Sequence, residues 1–195
     1  MPLNFKLLVG LGNPTVQYKN TRHNAGFWFL DRVAAQYCLD FQPDRRFRGD
    51  IAKMDLAGQS LYLLKPATYM NRSGESVGAL AGYLKLQTEQ ILVAHDELNL
   101  SPGAVRLKFG GGHGGHNGLR DLTLRLGSPS FYRLRFGIGH PGDKAEVVGY
   151  VLGIPSPGEE QLIIRTLEKA VSVLPKLLKG QLDLAVNELH VPNHV

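Results

Sequence analysis

Cysteine is almost missing from this chain: Cys38 is the only one in 195 residues. An internal disulfide and a cysteine-rich metal site are therefore excluded, which suits a reducing compartment. Cys38 falls on one helical face with Leu30, Ala34 and Phe27, and is expected to be a packed thiol rather than a nucleophile. No stretch approaches the ~20 apolar residues of a membrane span, and Met1 to Phe5 lacks the basic start of a secretory signal. The expected location is the cytoplasm. A Gly-x-Ser-x-Gly elbow is absent, which argues against a serine acyl-enzyme. No Walker lysine follows the glycine-rich run, and no His-Glu-x-x-His spacing is present. Gly10-Leu11-Gly12 mimics the start of a dinucleotide fingerprint, but Thr15 replaces the third glycine and Pro14 interrupts the approach to a helix.

What remains is an ordinary globular composition, 43% hydrophobic and 20% charged, long enough for one substantial core. One domain over 1–195 is expected, without repeats, linkers or low-complexity tracts. The formal charge of +5 is a modest basic surplus, compatible with a nucleic-acid or phosphate partner.

Periodicity predicts alternating elements. Apolar or alternating strands are expected at Phe5 to Leu11, Ile91 to Ala94, Ala104 to Phe109 and Tyr132 to Ile138. A hairpin is expected from Phe47 to Leu56 and Ser60 to Leu64. Helical spacing predicts Arg22 to Leu39, a helix capped by Asn71 or Ser73, and one capped by Asn117. Further helices are expected at Asp143 to Leu152, at Glu159 to Lys179 with a kink at Pro175, and at Gln181 to Leu189. The fold class is α/β, a single-domain mixed twisted sheet flanked by helices.

The most unusual stretch is Phe109 to Gly118, which holds six glycines, His113, His116 and Asn117 between a strand and a helix. Glycine is entropically the most expensive residue to order, so such a loop serves close approach, positive φ or gating. Asn13 and His95-Asp96-Glu97 each follow a strand, and ligands gather beyond the carboxyl ends of strands in α/β sheets. His23 lies on the first helical turn after Asn13; paired with Asp96 it would be a general base near neutral pH. Plainer readings stand beside these: Asn13 as a turn residue, Asp96 and Asn117 as caps, His23 as a surface residue, Met70 as core. A zinc site built from His95, His113, His116 and His140 is a third possibility, without supporting spacing. Arg106 and Lys108 share one strand face, as do Arg133 and Arg135. If those strands are neighbours, the four cations form one phosphate-binding patch.

Six motifs in order carry a resemblance. They are Gly10-Leu-Gly-Asn-Pro14, Thr21-Arg-His-Asn-Ala-Gly26, Lys65-Pro-x-Thr-Tyr-Met-Asn71, His95-Asp-Glu-Leu98, Gly110-Gly-Gly-His-Gly-Gly-His-Asn-Gly-Leu119 and Arg133-Leu-Arg-Phe-Gly-Ile-Gly-His-Pro141. Together they resemble the bacterial-type peptidyl-tRNA hydrolase family. The resemblance implies hydrolysis of the ester between a peptide and the terminal ribose of tRNA. It makes His23 the base, Asp96 its partner, and Asn117 the group that orients water or steadies the oxyanion. Asn13 and Asn71 would hold substrate, Met70 would line the peptide groove, and His116 would stand at the mouth of the site. Lys108 and Arg135 would hold the tRNA 5′ phosphate, with Arg106 where the family often has lysine, and Tyr18 would stack on a terminal base. No metal or organic cofactor is implied, and a monomer is expected. The rival readings are an RNA-binding protein without activity and a metal-dependent hydrolase.

Overall fold

The computed structural model describes residues 4–191. Its seven-stranded sheet runs in the order β2-β3-β4-β1-β5-β7-β6. The strands are β1 (Leu7–Gly10), β2 (Gln42–Asp44), β3 (Gly49–Leu56), β4 (Gln59–Pro66), β5 (Ile91–Glu97), β6 (Val105–Phe109) and β7 (Tyr132–Gly137). The central strands β4, β1, β5 and β7 are parallel, while β2, β3 and β6 make antiparallel edges. The expected mixed sheet is therefore present. The hairpin of β3 and β4 closes through Ala57 and Gly58, both with positive φ, the backbone a two-residue turn demands.

Helices cover both faces: α1 (Ala25–Tyr37), α2 (Ser73–Tyr83), α3 (Asn117–Leu126), α4 (Val147–Val151), α5 (Pro157–Leu178) and α6 (Leu182–His190). One core packs α1, α5 and α6 against the sheet through Phe29, Leu30, Phe136, Leu167 and Leu174. The other packs α2 and α3 through Leu7, Val9, Val77, Leu80, Leu119 and Leu122. The alternation of inward residues along each strand assigns them to these faces. Both cores are continuous apolar layers, as the hydrophobic pattern requires.

Two glycines fix how α1 meets the sheet. A Cβ at Gly26 would lie 2.3 Å from the Ala94 carbonyl oxygen, and one at Gly10 would lie 2.4 Å from the Gly26 oxygen. The helix therefore rests on β1 and β5 backbone to backbone, directly below the sequence that carries His23.

Several local expectations are corrected. Cys38 is exposed and takes a left-handed conformation, φ 52°, at the C-terminus of α1. The helical stripe that would have buried it ends one residue earlier. Arg22 to Asn24 form a 3-10 turn before α1 rather than its first α-turn. The N-cap of α2 is Arg72, without a side-chain bond, because Met70 to Arg72 form a 3-10 turn that leads in. The N-cap of α3 is His116, whose ring accepts from Leu119 N–H, so Asn117 is the first helical residue. Pro175 stands inside α5, in the last turn before Leu178, as expected of its position. The strand β2 at the sheet edge was not anticipated; its Gln-Pro-Asp sequence has no strand pattern.

Candidate active site

The parallel register of β1 and β5 places Gly10 beside Ala94, so the residues that follow each strand emerge at one edge. His95, Asp96 and Glu97, expected just past the strand, are its last paired residues and lie opposite Arg135, Phe136 and Gly137 of β7. Asp96 is 3% exposed at the floor of a cleft of about 650 Å³. Such a volume suits a small-molecule-sized group.

Asp96 is the acceptor for two rings. His23 Nδ1 lies 2.9 Å from Oδ1 and 3.0 Å from Oδ2, and His116 Nε2 lies 3.0 Å from Oδ1. The two imidazoles stand 4.9 Å apart. The second ring nitrogen of His116 accepts from Leu119 N–H at 3.3 Å, so its proton sits on Nε2 and points at the carboxylate. His23 donates from Nδ1, which leaves Nε2 as a free acceptor. The sequence pairing of His23 with Asp96 thus exists in space; the bond from His116, expected only at the mouth, was not foreseen.

Burial opposes charge on both partners, and each offsets that effect on the other. For His23, desolvation pulls the pKa down, while the Asp96 charge and hydrogen bond outweigh it and raise it. For Asp96, desolvation pushes up, but the charges and hydrogen bonds of His23 and His116 hold the carboxyl far below its ordinary range. His95 is different. Full burial, then the neighbouring His116, push its pKa down to about 3. Its Nδ1 donates to the Asp96 carbonyl at 2.7 Å, and its Nε2 is buried without a partner.

Asn13 is 6% exposed and locked from three sides. Its N–H donates to Asn24 Oδ1 at 2.9 Å, its carbonyl accepts from Asn24 Nδ2 at 3.0 Å, and its Oδ1 accepts from Met70 N–H at 2.8 Å. That last bond fixes the carboxamide so that NH2 is the free donor. Asn13, Tyr18, His23, Met70, Asn71, Asp96, His116 and Asn117 all line the cleft, so these eight sequence candidates are brought together. Asn117 is exposed, and its Oδ1 accepts from Arg120 at 3.1 Å. Met70 serves core and cleft at once, being 4% exposed.

Four glycines of the loop, Gly110, Gly111, Gly114 and Gly115, have positive φ, the conformation only glycine adopts readily. The loop is anchored by Arg133, which donates to the carbonyls of Gly111 at 2.6 Å and Gly112 at 2.7 Å. Arg133 is 2% exposed and belongs to the loop, which corrects its expected place in a basic patch.

The three other cations lie outside the cleft. Strands β6 and β7 are neighbours, with Arg106 opposite Arg135 and Lys108 opposite Arg133. Lys108 is exposed and joins no ion pair among the described residues. Arg135 Nε bonds Glu97 at 2.9 Å. Burial first, and the Arg106 charge as a smaller cause, lower the pKa of Lys169 in α5 and His190 in α6, so the Arg106 guanidinium lies near those two helices. Sequence reasoning missed the apolar wall made by Val147, Val148, Val151 and Leu152 of α4 and its end, together with Leu98. Only the helical spacing of the valines signals it.

His23, Asp96 and His116 have donor atoms within 4.8 Å of one another, close enough to hold an ion. His95, His113 and His140 do not join them. An ion there would displace both protons that now bind the two rings to Asp96, and would take the carboxylate away from His23. No helix among the described residues is long and apolar enough to cross a membrane.

Comparison with known proteins places the chain. The family model for peptidyl-tRNA hydrolase matches residues 7–194. A peptidyl-tRNA hydrolase of Halorhodospira halophila is 51% identical over 96% of this chain and 96% of its own. One of Pectobacterium atrosepticum is 50% identical over 96% of both. The crystal structure of peptidyl-tRNA hydrolase from Acinetobacter baumannii superposes with a TM-score of 0.95 at 45% identity, covering 98% of this chain and 97% of that one. Sequence and fold agree, and the chain belongs to the peptidyl-tRNA hydrolase family, whose activity is the cleavage of peptidyl-tRNA.

Proposed function

We propose that His23 is the general base of this hydrolase and that a single water attacks the ester carbonyl between a peptide, or an N-blocked aminoacyl group, and the terminal ribose of tRNA. The observation that carries this is the His23 to Asp96 bond at 2.9 Å on the cleft floor, which leaves Nε2 open to a water. Nε2 takes one proton as the water oxygen bonds to the carbonyl carbon, and the carbonyl oxygen gains the negative charge. The intermediate then expels the ribose hydroxyl, which takes the proton back from the imidazolium. Asp96 holds the ring in this tautomer and steadies its charged form.

The NH2 of Asn13, fixed by Met70, is a donor for the oxyanion or the bound ester. Asn117 orients the water from the opposite side of the cleft. Asn71 and Met70 hold the peptide, Tyr18 lies under the terminal base, and His116 keeps Asp96 ionised. The carboxamides of Asn13, Asn71 and Asn117 are neutral at every working pH, so they do not compete with His23 for its proton. Lys108 and Arg135 take the tRNA 5′ phosphate, and Arg106 adds to the positive field. The chain acts as a cytoplasmic monomer that recycles tRNA from abandoned translation and needs no metal.

The test is turnover of N-acetyl-aminoacyl-tRNA with and without a chelator, by the parent and by His23→Ala. Chelator-resistant turnover that His23→Ala lowers by roughly 10²–10⁴-fold, with tRNA binding kept, supports the reading. Chelator-sensitive turnover would transfer the chemistry to an ion at His23, Asp96 and His116. Wild-type rates in His23→Ala would remove it from the role of base.

A further inference from the structure

Arg22 precedes the proposed base in sequence and has no part in the reaction described above, yet it is 8% exposed. Its guanidinium is engaged on three sides. Nη2 donates to Glu159 Oε2 at 3.0 Å, Nη1 donates to the Tyr150 carbonyl at 3.2 Å, and the group lies 4.1 Å from the centre of the Tyr150 ring. Its main-chain N–H donates to the Gly153 carbonyl at 3.0 Å. Every one of these partners belongs to α4, the turn after it, or the first turn of α5.

The helix so held is the apolar wall of the cleft. Val147, Val148, Val151 and Leu152 line it, and a five-residue helix cannot hold its own position by hydrogen bonds alone. Tyr150 OH adds another polar tie from this helix, donating to the Ile138 carbonyl at 2.6 Å beyond the end of β7. Glu159 is itself preorganised, since its Oε2 also accepts from Ser156 N–H and Oγ in the capping box of α5. A buried charge with a fixed partner has one geometry, and breaking it leaves the other charge uncompensated.

We propose that Arg22 is a positioning residue that fastens α4 to the turn bearing His23, and so sets the distance between the base and the apolar wall that receives the acyl side chain. This rests on the reaction proposed above. Its consequence is selectivity: substrates with bulky apolar acyl groups depend on the clamp, and those with none do not. Arg22 touches neither water nor ester, so the chemistry at His23 is unaffected by its loss.

The experiment compares N-acetyl-phenylalanyl-tRNA with N-acetyl-glycyl-tRNA in the parent and in Arg22→Gln, Arg22→Lys and Glu159→Gln. Arg22→Gln is expected to raise KM for the phenylalanyl substrate by roughly tenfold, the worth of a lost apolar contact in a pocket. KM for the glycyl substrate, kcat, and the acid limb of the pH profile stay near the parent's. Arg22→Lys restores part of the loss. Glu159→Gln keeps the capping box and removes only the ion pair, so it shifts KM in the same direction even if Arg22→Gln folds poorly. Equal KM changes for the two substrates, or a displaced acid limb, overturn the proposal. Parent turnover in the same assay separates the two ideas: its absence sinks the hydrolase mechanism, whereas its presence with both Arg22→Gln and Glu159→Gln unchanged sinks the clamp alone.

Discussion

His116 donates from Nε2 to the same Asp96 oxygen that His23 uses, at 3.0 Å. Its other nitrogen caps α3 by accepting from Leu119 N–H. One side chain therefore ties the start of a helix to the carboxylate beneath the proposed base.

His116→Ala removes both bonds, and loss of a helix cap costs about 0.5–2 kcal/mol. The expected result is a lower Tm together with a reduced rate. His116→Asn restores a cap but cannot reach Asp96, so it should recover Tm while the rate remains low. Recovery of both by asparagine would show that the bond to Asp96 is dispensable.

Asp96→Asn tests the pair from the other side. In the parent, burial depresses the His23 pKa and the Asp96 charge and hydrogen bond raise it beyond the ordinary value. The acid limb of kcat/KM should therefore lie above ~6.5. Without the carboxylate charge only desolvation remains, so the limb moves to lower pH while the plateau falls by roughly 10²–10⁴-fold. A limb that stays in place in a folded variant would assign that ionisation to another group.

His95 makes stability fall in acid. Its folded pKa of about 3 lies below its unfolded value, so the unfolded chain binds the extra proton. The stabilisation is fully present above ~6.5 and is lost progressively as pH falls toward 3. His23, with its raised pKa, acts in the opposite sense: its contribution is present below ~6.5 and is lost as pH rises through the folded value. Urea midpoints at several values between pH 7.5 and 4.5 (on the order of one unit apart) should fall for the parent and fall less for His95→Asn, which keeps a donor toward the Asp96 carbonyl. Parallel curves for the two proteins would refute the assignment.

Lys108→Ala and Arg135→Ala should each raise KM with kcat nearly kept, and each should lower the salt slope of tRNA binding by roughly one. Arg106→Ala should have a smaller effect, because its guanidinium turns toward α5 and α6. A steeper loss in Arg106→Ala than in Lys108→Ala would reverse the order of importance.

The strand ends were readable because apolar runs stop where Asn13 and Asp96 begin, and the order of alternating patterns gave the mixed sheet. The His23 to Asp96 contact was legible only as chemistry, since 73 residues separate them and the parallel pairing of β1 and β5 decides whether they meet. Arg133 was misplaced for a related reason. Alternation says which face a side chain leaves from, but whether it meets solvent or folds under a glycine loop depends on a loop twenty-one residues away. Cys38 shows the same limit at a helix end, where a one-residue change in the stop point turns a core position outward. The wall formed by α4 had no polar signature, so the valines that line the cleft looked like any buried stripe.

The contact of α1 with the sheet through Gly26 and Gly10 has a consequence for how this enzyme can vary. Because main chain touches main chain there, the gauge between imidazole and carboxylate is set without any intervening side chain. The interior elsewhere can be refilled with other apolar residues while that gauge holds. Retuning it requires a change at the two glycines themselves, where even a single methyl group has no room.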